Sequence, residues 1–249
     1  MARNEGNAMK KYNSALYWLP CIWDGGLPVP TTEFVIYHHP SAVRVLEAEA
    51  ESDYELPIEG VKDAADRVGY PVFIRSDLAS AKHDGPRHYR ANSPKDIERI
   101  LWAIVEDGEM KFWLTPETPS AFLVREWLEL NIAFWAFGGH GIAREFRYFT
   151  SNGNVVCRHF YWPEEAIKFY GEKEPPTKER WTKALRAMSR ISQKTDDTLG
   201  LLARGAAKRC SDHPNWSVDF AQDVKGKWWL IDMAIAERSW HPEHPHKNT

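Results

Sequence analysis

Apolar residues recur at helical spacing in several parts of the chain. Residues 58–69 place an apolar stripe on one helix face, and the closing glycine is positioned to end that helix. Residues 93–108 predict a second helix, which Ser93 can cap and the closing glycine ends. A longer helical region is predicted from 178 to about 210. The first two stripes consist of Val61, Ala64, Ala65 and Val68, and of Ile97, Ile100, Leu101, Ile104 and Val105.

Apolar runs and alternating patterns predict strands elsewhere. "YPVFIRSD" (70–77) reads as a strand, and "SAFLVREWLEL" (120–130) as a strand that enters a connector. "IAFWAF", "IAREFRYF" and "NVVCRHFYW" follow as successive strands, separated by the turn sequences "GGHG" and "TSNGN". Residues 216–237 form a final hairpin. Because helices do not alternate regularly with single strands, the pattern predicts an α+β fold with mainly antiparallel sheets.

The first 57 residues show a weaker pattern. Residues 17–23 form an apolar patch, and the prolines at 28 and 30 favour an extended connector after it. This part of the chain is therefore predicted to be irregular.

Composition narrows the functional classes. The net charge is −3 and the pI about 6.4, so the chain lacks the basic excess usual in proteins that bind nucleic acid through phosphates. A nucleic-acid partner is therefore not expected, and a local basic groove is the alternative. No apolar run approaches the roughly 20 residues that cross a bilayer, and the N-terminus lacks the apolar core of a signal peptide. The three cysteines are odd in number and widely spaced, which indicates neither a disulfide framework nor a zinc site. A cytoplasmic location without a membrane partner fits these features best.

The final hairpin carries one carboxylate in each strand, Asp219 and Asp232. In an antiparallel pair, facing residues have numbers with a constant sum, and a two-residue turn at Lys225 and Gly226 sets that sum at 451. Asp219 and Asp232 have the same sum, so they are predicted to face each other, whereas a three-residue loop would break this register. The opposite, core-facing side is predicted to carry Val218, Phe220, Trp229, Ile231 and Met233, and the acidic side Ser217, Ala221, Leu230 and Ala234.

Two facing carboxylates repel each other unless a cation or a shared proton compensates. Oxygen ligands with open positions suit Mg²⁺, which prefers one or two carboxylates together with phosphate oxygens and water. The alternative is a solvated hairpin surface on which Asp219 and Asp232 meet Lys or Arg neighbours, and both interpretations are open. Arg75, at the end of a strand, and Lys82, in the loop after it, can clamp a triphosphate; alternatively, Arg75 pairs with an acid and Lys82 is exposed.

The order of these elements resembles the ATP-grasp superfamily. "PVPTT" precedes a helix, a strand that ends with a first cation (Arg75) and a loop with a second cation (Lys82). The hinge-like strand "FLVREWLEL", a strand with an Arg ("REFRYF") and a hairpin with two acids follow. The resemblance covers residues 58–240 and implies two lobes with the nucleotide between them. The expected organisation is a short N-terminal region (1–57), an N-terminal lobe (58–123), a C-terminal lobe (124–240) and a His/Pro tail (241–249).

The resemblance also implies roles for individual residues. Glu145, two residues before Arg147 on the same strand face, is expected to orient Arg147 or to join the metal shell. By position, Arg75 and Lys82 would hold the α- and β-phosphates, and Arg147 and Lys82 would stabilise the transferred phosphoryl group. Asp219 and Asp232 would bind Mg²⁺, and Glu129 would contact the ribose hydroxyls. Adenine would be framed by backbone groups of Arg125, Glu126, Trp127 and Leu128.

The chain departs from the family pattern at several positions. The first cation is an Arg where most members have Lys, which is similar to a smaller clade with that exchange. Ala234 stands where an Asn ligand is expected, and Glu237 is the nearest substitute. The histidines at 241, 244 and 246 are interrupted by prolines, so a solvated tail is predicted instead of a metal site, and no Cys lies in a recognisable catalytic setting.

The implied activity is that of an ATP- and Mg²⁺-dependent carboxylate–amine (or thiol) ligase working through an acyl phosphate. Its partners would be a small-molecule or peptide carboxylate and an amine acceptor, and the chain would need no nucleophile of its own. The alternative is an ATP-binding assembly or chaperone protein of the same fold, which would have a protein partner. A third interpretation is an unrelated structural protein.

Overall fold

The computed structural model describes residues 12–37, 56–78, 89–112 and 119–241, with the side chains of 107–112 excluded. The loop that contains Lys82 lies outside these ranges. The chain divides into a smaller unit, Pro30–Leu128, and a larger unit formed by Met1–Val29 and Glu129–Thr249. By its contacts, the chain thus divides at 29/30 and 128/129.

The described residues contain five α-helices and ten strands. In chain order these are α1 (Ala15–Trp23), β1 (Thr32–Ile36), α2 (Ile58–Val68), β2 (Val72–Ser76), β3 (Arg90–Ala91), α3 (Ile97–Phe112), β4 (Ala121–Glu126), β5 (Ile132–Ala136), β6 (His140–Ala143), β7 (Glu145–Ser151), β8 (Asn154–Phe160), α4 (Lys178–Met188), α5 (Gln193–Arg209), β9 (Asn215–Gln222) and β10 (Trp228–Ile235).

The smaller unit is built on a four-stranded antiparallel sheet in the order β1-β4-β2-β3. Helices α2 and α3 bury the predicted apolar stripes in its core, apart from Val68, which is half-buried. Helix α2 ends at Gly69, whose φ of 93° is readily adopted only by glycine. The prediction that α3 ends at Gly108 was wrong, because the helix continues to Phe112. One interior glycine costs only about 1 kcal/mol, which the buried stripe outweighs.

The larger unit contains a four-stranded antiparallel sheet in the order β10-β9-β7-β8 and a separate hairpin, β5-β6. Helix α5 packs on β7 and β9, and α1 packs on α5 and β10. The core includes Trp18 and Ile22 of α1 and Trp216, Val218 and Phe220 of β9, all fully buried. The α+β fold with antiparallel sheets is as predicted.

The prediction of an irregular N-terminal part was wrong in two places. Residues Ala15–Trp23 form a helix, which Ser14 caps by accepting a hydrogen bond from the Leu16 amide. Pro20 lies inside this helix and obscures the pattern, but burial of the apolar patch stabilises it. The connector after Pro30 continues into an edge strand, β1, paired with β4.

Two long predicted elements are each divided. The helical region from 178 breaks after Met188, and α5 starts anew at Ser192, whose side chain accepts a hydrogen bond from the Thr195 amide. "IAREFRYF" is split at Arg144 into β6 and β7. The Arg144 guanidinium donates to the Met188 carbonyl oxygen (3.3 Å) and to Gln222 Oε1 (3.0 Å), and so ties this strand break to the end of α4.

Across the described residues, the helices are all too short or too polar to traverse a lipid bilayer.

Candidate functional site

The two hairpin acids face each other, as predicted, although the turn differs from the predicted one. The Asp223 amide donates to the Lys227 carbonyl oxygen (2.9 Å), so the loop has three residues instead of two. The register set by this loop pairs Trp228 with Gln222 and continues as far as Leu230, which lies opposite Phe220. The register then shifts between Leu230 and Asp232 and places Asp232 opposite Asp219. A β-bulge at Ile231 therefore cancels the extra loop residue.

Because of the bulge, the β10 residues between it and the turn lie on the opposite sheet faces from those predicted. Leu230 lies opposite Phe220 and is only 1% exposed, so it belongs to the core and not to the acidic face. Trp229 lies opposite Ala221, on the face of the acids, and its Nε1 donates to Asp223 Oδ2 (2.9 Å). The predicted faces of Trp229 and Leu230 were wrong for this reason, whereas those of Val218, Phe220 and Met233 are confirmed.

Asp219 is paired with Arg147 of the neighbouring strand β7. The two residues lie directly opposite each other. Arg147 Nε donates to Asp219 Oδ1 (2.7 Å) and Nη2 to Oδ2 (2.8 Å), which is a bidentate ion pair. The side chains are 11% and 3% exposed, so the pair is largely shielded from water. Asp232, on the other side of Asp219, is half-buried.

The surroundings of Arg147 stabilise its charge. Burial by itself lowers the pKa of Arg147, but the charge of Asp219 and its hydrogen bonds raise it by more, with smaller contributions from Tyr161 and Asp232. The guanidinium carbon lies 4.7 Å from the centre of the Tyr161 ring. Nη1 donates to the Trp240 carbonyl oxygen at 3.4 Å, near the upper limit for a hydrogen bond. The Nη1 edge is therefore the weakly bound side of a fixed cation.

Glu145 lies opposite Ala221, so it shares the face of Arg147 as predicted, and it is buried.

Ala234 lies opposite Ser217, whose hydroxyl donates to the Ala234 carbonyl oxygen (3.3 Å). Glu237 accepts a hydrogen bond from Asn215 Nδ2 (2.6 Å). Asn215 is four residues from Asp219 along β9, about 13 Å at strand spacing. Glu237 is therefore not positioned to replace the Asn ligand missing at position 234.

The donor set fits one magnesium ion but not two. Both Asp219 oxygens accept hydrogen bonds from Arg147, and Asp232 adds a second carboxylate from the facing position. Among the described residues, no group of three or more His, Cys, Asp or Glu could hold a metal ion. An ion held by the two aspartates would thus need external oxygens, as Mg²⁺ commonly does. The methyl group of Ala234 supplies no ligand for a second ion.

Strand β8 adds residues to this face that the sequence prediction missed. His159 lies opposite Arg147, and Cys157 lies opposite Phe149, two positions further along β7. Tyr161 continues the same alternation. The alternation within "NVVCRHFYW" contained this signal, since it places Cys157, His159 and Tyr161 on one side.

His159 carries an acceptor that is not in use. Its Nδ1 lies 2.9 Å from the Phe160 carbonyl oxygen, which can only accept, so Nδ1 bears the proton. Its Nε2 is buried and has no hydrogen-bond partner within the described part of the chain. Burial lowers the pKa of His159 and outweighs the bond to Phe160, and Arg147 and His241 lower it further against a smaller opposing effect of Asp219. His159 is therefore a neutral base at pH 7.

The segment after β10 crosses the same face. Ser239 Oγ lies 2.5 Å from Ser217 Oγ, and the Trp240 ring packs edge-on against His159. His241 packs against Phe149, with ring centres 4.9 Å apart. The predicted solvated tail is thus wrong for His241, while residues 242–249 lie outside the described part.

The phosphate cations predicted in the smaller unit can be placed only in part. Arg75 lies on β2 opposite Leu123 and is buried, with Nε donating to the Ser76 carbonyl oxygen (3.1 Å). Lys82 is outside the described residues.

The predicted hinge, residues 125–128, begins within the last two residues of β4 and continues beyond it. The amide of Glu126 donates to the Thr31 carbonyl oxygen (2.9 Å), and that of Trp127 donates to Pro71 (3.2 Å). Arg125 is inside β4, paired on both sides. No hydrogen bond involves the Leu128 amide among the described residues. The amides of Glu126 and Trp127 are thus engaged within the protein, whereas that of Leu128 has no such bond within the described ranges.

Trp127 and the neighbouring Glu129 have further contacts. The Arg90 guanidinium lies 4.6 Å from the centre of the Trp127 ring. The Glu129 carbonyl oxygen accepts from the Val224 amide (2.8 Å), so the backbone of Glu129 is fixed by the loop of the acidic hairpin.

Comparisons with known proteins give a match at the level of structure only. No family model matches the chain, and no curated protein does. Three similar solved structures are the biotin carboxylase domain of 2-oxoglutarate carboxylase from Hydrogenobacter thermophilus (12% identity, 96% of this chain, 42% of that chain, TM-score 0.54), biotin carboxylase from Campylobacter jejuni (16%, 96%, 42%, 0.53) and carboxyaminoimidazole ribonucleotide synthase from Aspergillus clavatus (11%, 92%, 46%, 0.52).

The chain spans about half the length of these structures. All three were solved with a nucleotide: MgADP and ADP, an ATP form described as beta-gamma-ATP, and ATP, respectively. The sequence resemblance and the structural match agree, and the chain has the ATP-grasp fold.

Proposed function

We propose that the chain is an ATP- and Mg²⁺-dependent ligase that joins a carboxylate to an amine, or to a thiol, through an acyl phosphate. The observation that carries the proposal is the buried, bidentate Arg147–Asp219 pair, with Asp232 facing Asp219 on the same surface. A fixed cation beside two carboxylates is the arrangement that holds a metal ion and a phosphoryl group together. The ATP-grasp fold, shared with solved nucleotide complexes, supports it.

In this proposal, Asp219 and Asp232 hold one Mg²⁺, which when bound neutralises charge on the phosphate oxygens. Asp219 also holds Arg147 by Nε and Nη2, so the guanidinium plane is fixed before substrate arrives. Nη1 exchanges its long bond with Trp240 for a phosphoryl oxygen. The charge that develops on the transferred group is then met by a preorganised donor.

The nucleotide contacts proposed in the smaller unit follow the sequence prediction. Arg75 and Lys82 would hold the α- and β-phosphates, and the hinge backbone of 125–128 would frame adenine. Since the Glu126 and Trp127 amides are used internally, Leu128 would supply the N–H and the hinge carbonyls the acceptors. Glu129 would contact the ribose hydroxyls.

His159 is proposed to accept the proton of the attacking amine. Its Nε2 lone pair is buried without a partner among the described residues, and it lies on the strand beside Arg147. An amine is nucleophilic only after it loses a proton, and a neutral imidazole is the usual base near pH 7.

Replacing His159 by glutamine should lower kcat about 10²- to 10⁴-fold, while the dissociation constant for ATP stays unchanged. In the unaltered protein, activity should fall with decreasing pH once His159 becomes protonated, at a value below the ordinary His pKa of about 6.5. That acid limb should be missing from the residual activity of His159→Gln. Equal pH profiles for the two proteins would remove His159 from the mechanism.

The proposal is tested by ADP release from ATP and Mg²⁺ across pairs of small carboxylates and amines. A ligase should release ADP and phosphate only with particular carboxylates, and a productive amine should raise the rate. Carboxylate-dependent formation of a hydroxamate with hydroxylamine would identify the acyl phosphate. Nucleotide binding without ADP release under any pair would contradict the ligase.

The assembly or chaperone alternative is kept by one observation, the alanine at position 234 where a second metal ligand is expected. It predicts ADP release that depends on a protein partner and not on small carboxylates. The same assay therefore separates the two functions.

A further inference from the structure

Cys157 forms a close thiol–imidazole contact at the edge of the acidic face. Its Sγ lies 3.1 Å from His241 Nε2. With the His241 proton on Nδ1, Nε2 accepts the thiol proton, and the ring is held against Phe149 and against His159 (5.6 Å between ring centres). A nucleophile within hydrogen-bond reach of a base, with the base oriented by further groups, is the general arrangement for covalent catalysis.

The other two cysteines have different surroundings. Cys21 donates to the carbonyl oxygen of Tyr17 within its own helix (3.2 Å). Cys210 is fully buried, and burial raises the pKa of its thiol, with further contributions from Cys21 and Asp212. Cys157 is half-buried and has an imidazole beside it. Among the three thiols, Cys157 is thus the one built for reactivity.

Cys157 is also close to the proposed phosphoryl site within the same sheet. It lies opposite Phe149, while Arg147 lies opposite His159, so Cys157 and Arg147 are diagonal neighbours at about 7–8 Å between Cα atoms. His159, two residues along β8, offers its buried Nε2 to an incoming amine. The same sheet face therefore carries the Arg147 cation, the Cys157 thiol with its base His241, and a second base, His159.

We infer that Cys157 and His241 form a nucleophilic pair that takes an acyl group from an acyl phosphate, an inference that rests on the proposed function and extends it. The Cys157 proton passes to His241 Nε2 as sulfur attacks the carbonyl carbon. A C–S bond forms, the C–O bond to phosphate breaks, and inorganic phosphate leaves with that electron pair and receives the proton. The product is a thioester on Cys157, which an amine can then attack.

Two probes test the pair without ATP. The folded, full-length protein is treated with iodoacetamide, and its peptides are then analysed by mass spectrometry. Cys157 should be modified about tenfold faster than Cys21 at pH 7, with Cys210 unmodified. Acetyl phosphate should add a single acetyl group to Cys157, removable by neutral hydroxylamine. His241→Gln should slow both reactions of Cys157 about tenfold, while Cys21→Ser, the matched control, leaves them unchanged.

Alkylation of Cys157 no faster than that of Cys21, or unchanged by His241→Gln, would overturn the inference. So would fast alkylation with no acetylation of Cys157. Because the rates of Cys157 and Cys21 are compared within one folded molecule, the result does not depend on the stability of a variant. Acetylation of Cys157 in a chain that releases no ADP with any carboxylate would support the thiol while contradicting the ATP-dependent activation.

Discussion

Replacing Arg147 by methionine should lower the free energy of unfolding by about 3–5 kcal/mol and abolish ATP turnover. The change removes both hydrogen bonds to Asp219 and leaves a carboxylate that is 3% exposed without its cation, beside Asp232. Losing one partner of a buried ion pair is costly mainly because the other charge stays buried. Urea denaturation and the ADP-release assay measure the two effects.

The double variant Arg147→Met/Asp219→Asn should recover part of the lost stability but none of the activity. The neutral amide removes the uncompensated charge, whereas both the fixed cation and a metal ligand are still missing. Such a recovery separates the structural role of the pair from its chemical role.

Arg158→Met is the matched control for the stability change. Arg158 lies on the adjacent strand and also pairs with an aspartate, Asp196, at 2.7 Å. That pair is 33% and 23% exposed, so its loss should cost about 1 kcal/mol or less and leave turnover unchanged. Equal destabilisation by Arg147→Met and Arg158→Met would contradict the special burial of the Arg147–Asp219 pair.

The facing aspartates could be predicted from the sequence, but the reason for their register could not. Counting from the turn gave the right pair because two deviations cancel: a loop one residue longer than predicted, and the bulge at Ile231. Neither has a clear signal in "DVKGKWWLID". The two deviations show themselves only in which sheet face each residue occupies: Leu230 is buried, and Trp229 is not in the core.

The Arg147–Asp219 pair depends on strand order, which local patterns do not encode. β7 and β8 are consecutive and form an expected hairpin, but β7 also lies beside β9, about 70 residues later. Only that long-range pairing brings Arg147 opposite Asp219. The clear amphipathic helices α2 and α3 were predictable, because their apolar stripes suffice to define them. Helix α1 was not, because Pro20 interrupts the pattern that burial stabilises.

Asp232→Asn should weaken Mg²⁺-dependent nucleotide binding at least about 10-fold without destabilising the fold. The substitution removes one of the two facing carboxylates and keeps the volume of the side chain. Outer-shell changes alone cost metal sites about 10- to 100-fold, so losing a direct ligand should cost no less. Because Arg147 already compensates Asp219 and is also attracted by Asp232, removing the Asp232 charge should change the free energy of unfolding by no more than about 0.5 kcal/mol. Calorimetric titration of ATP with and without Mg²⁺ measures the first effect, and urea denaturation the second.

Asp223→Asn provides the control, because it removes a carboxylate from the same hairpin at a different place. Asp223 Oδ1 accepts from the Lys225 and Lys227 amides in the turn, a function that an asparagine oxygen retains, and only the bond from Trp229 Nε1 to Oδ2 is lost. Magnesium-dependent binding should therefore survive in Asp223→Asn and disappear in Asp232→Asn. If both variants kept it, Asp219 and Asp232 would be ordinary partners of neighbouring cations, and the metal assignment would fall while the fold stood. If only Asp232→Asn lost it while the free energy of unfolding stayed unchanged, the loss would identify Asp232 as a ligand of the ion.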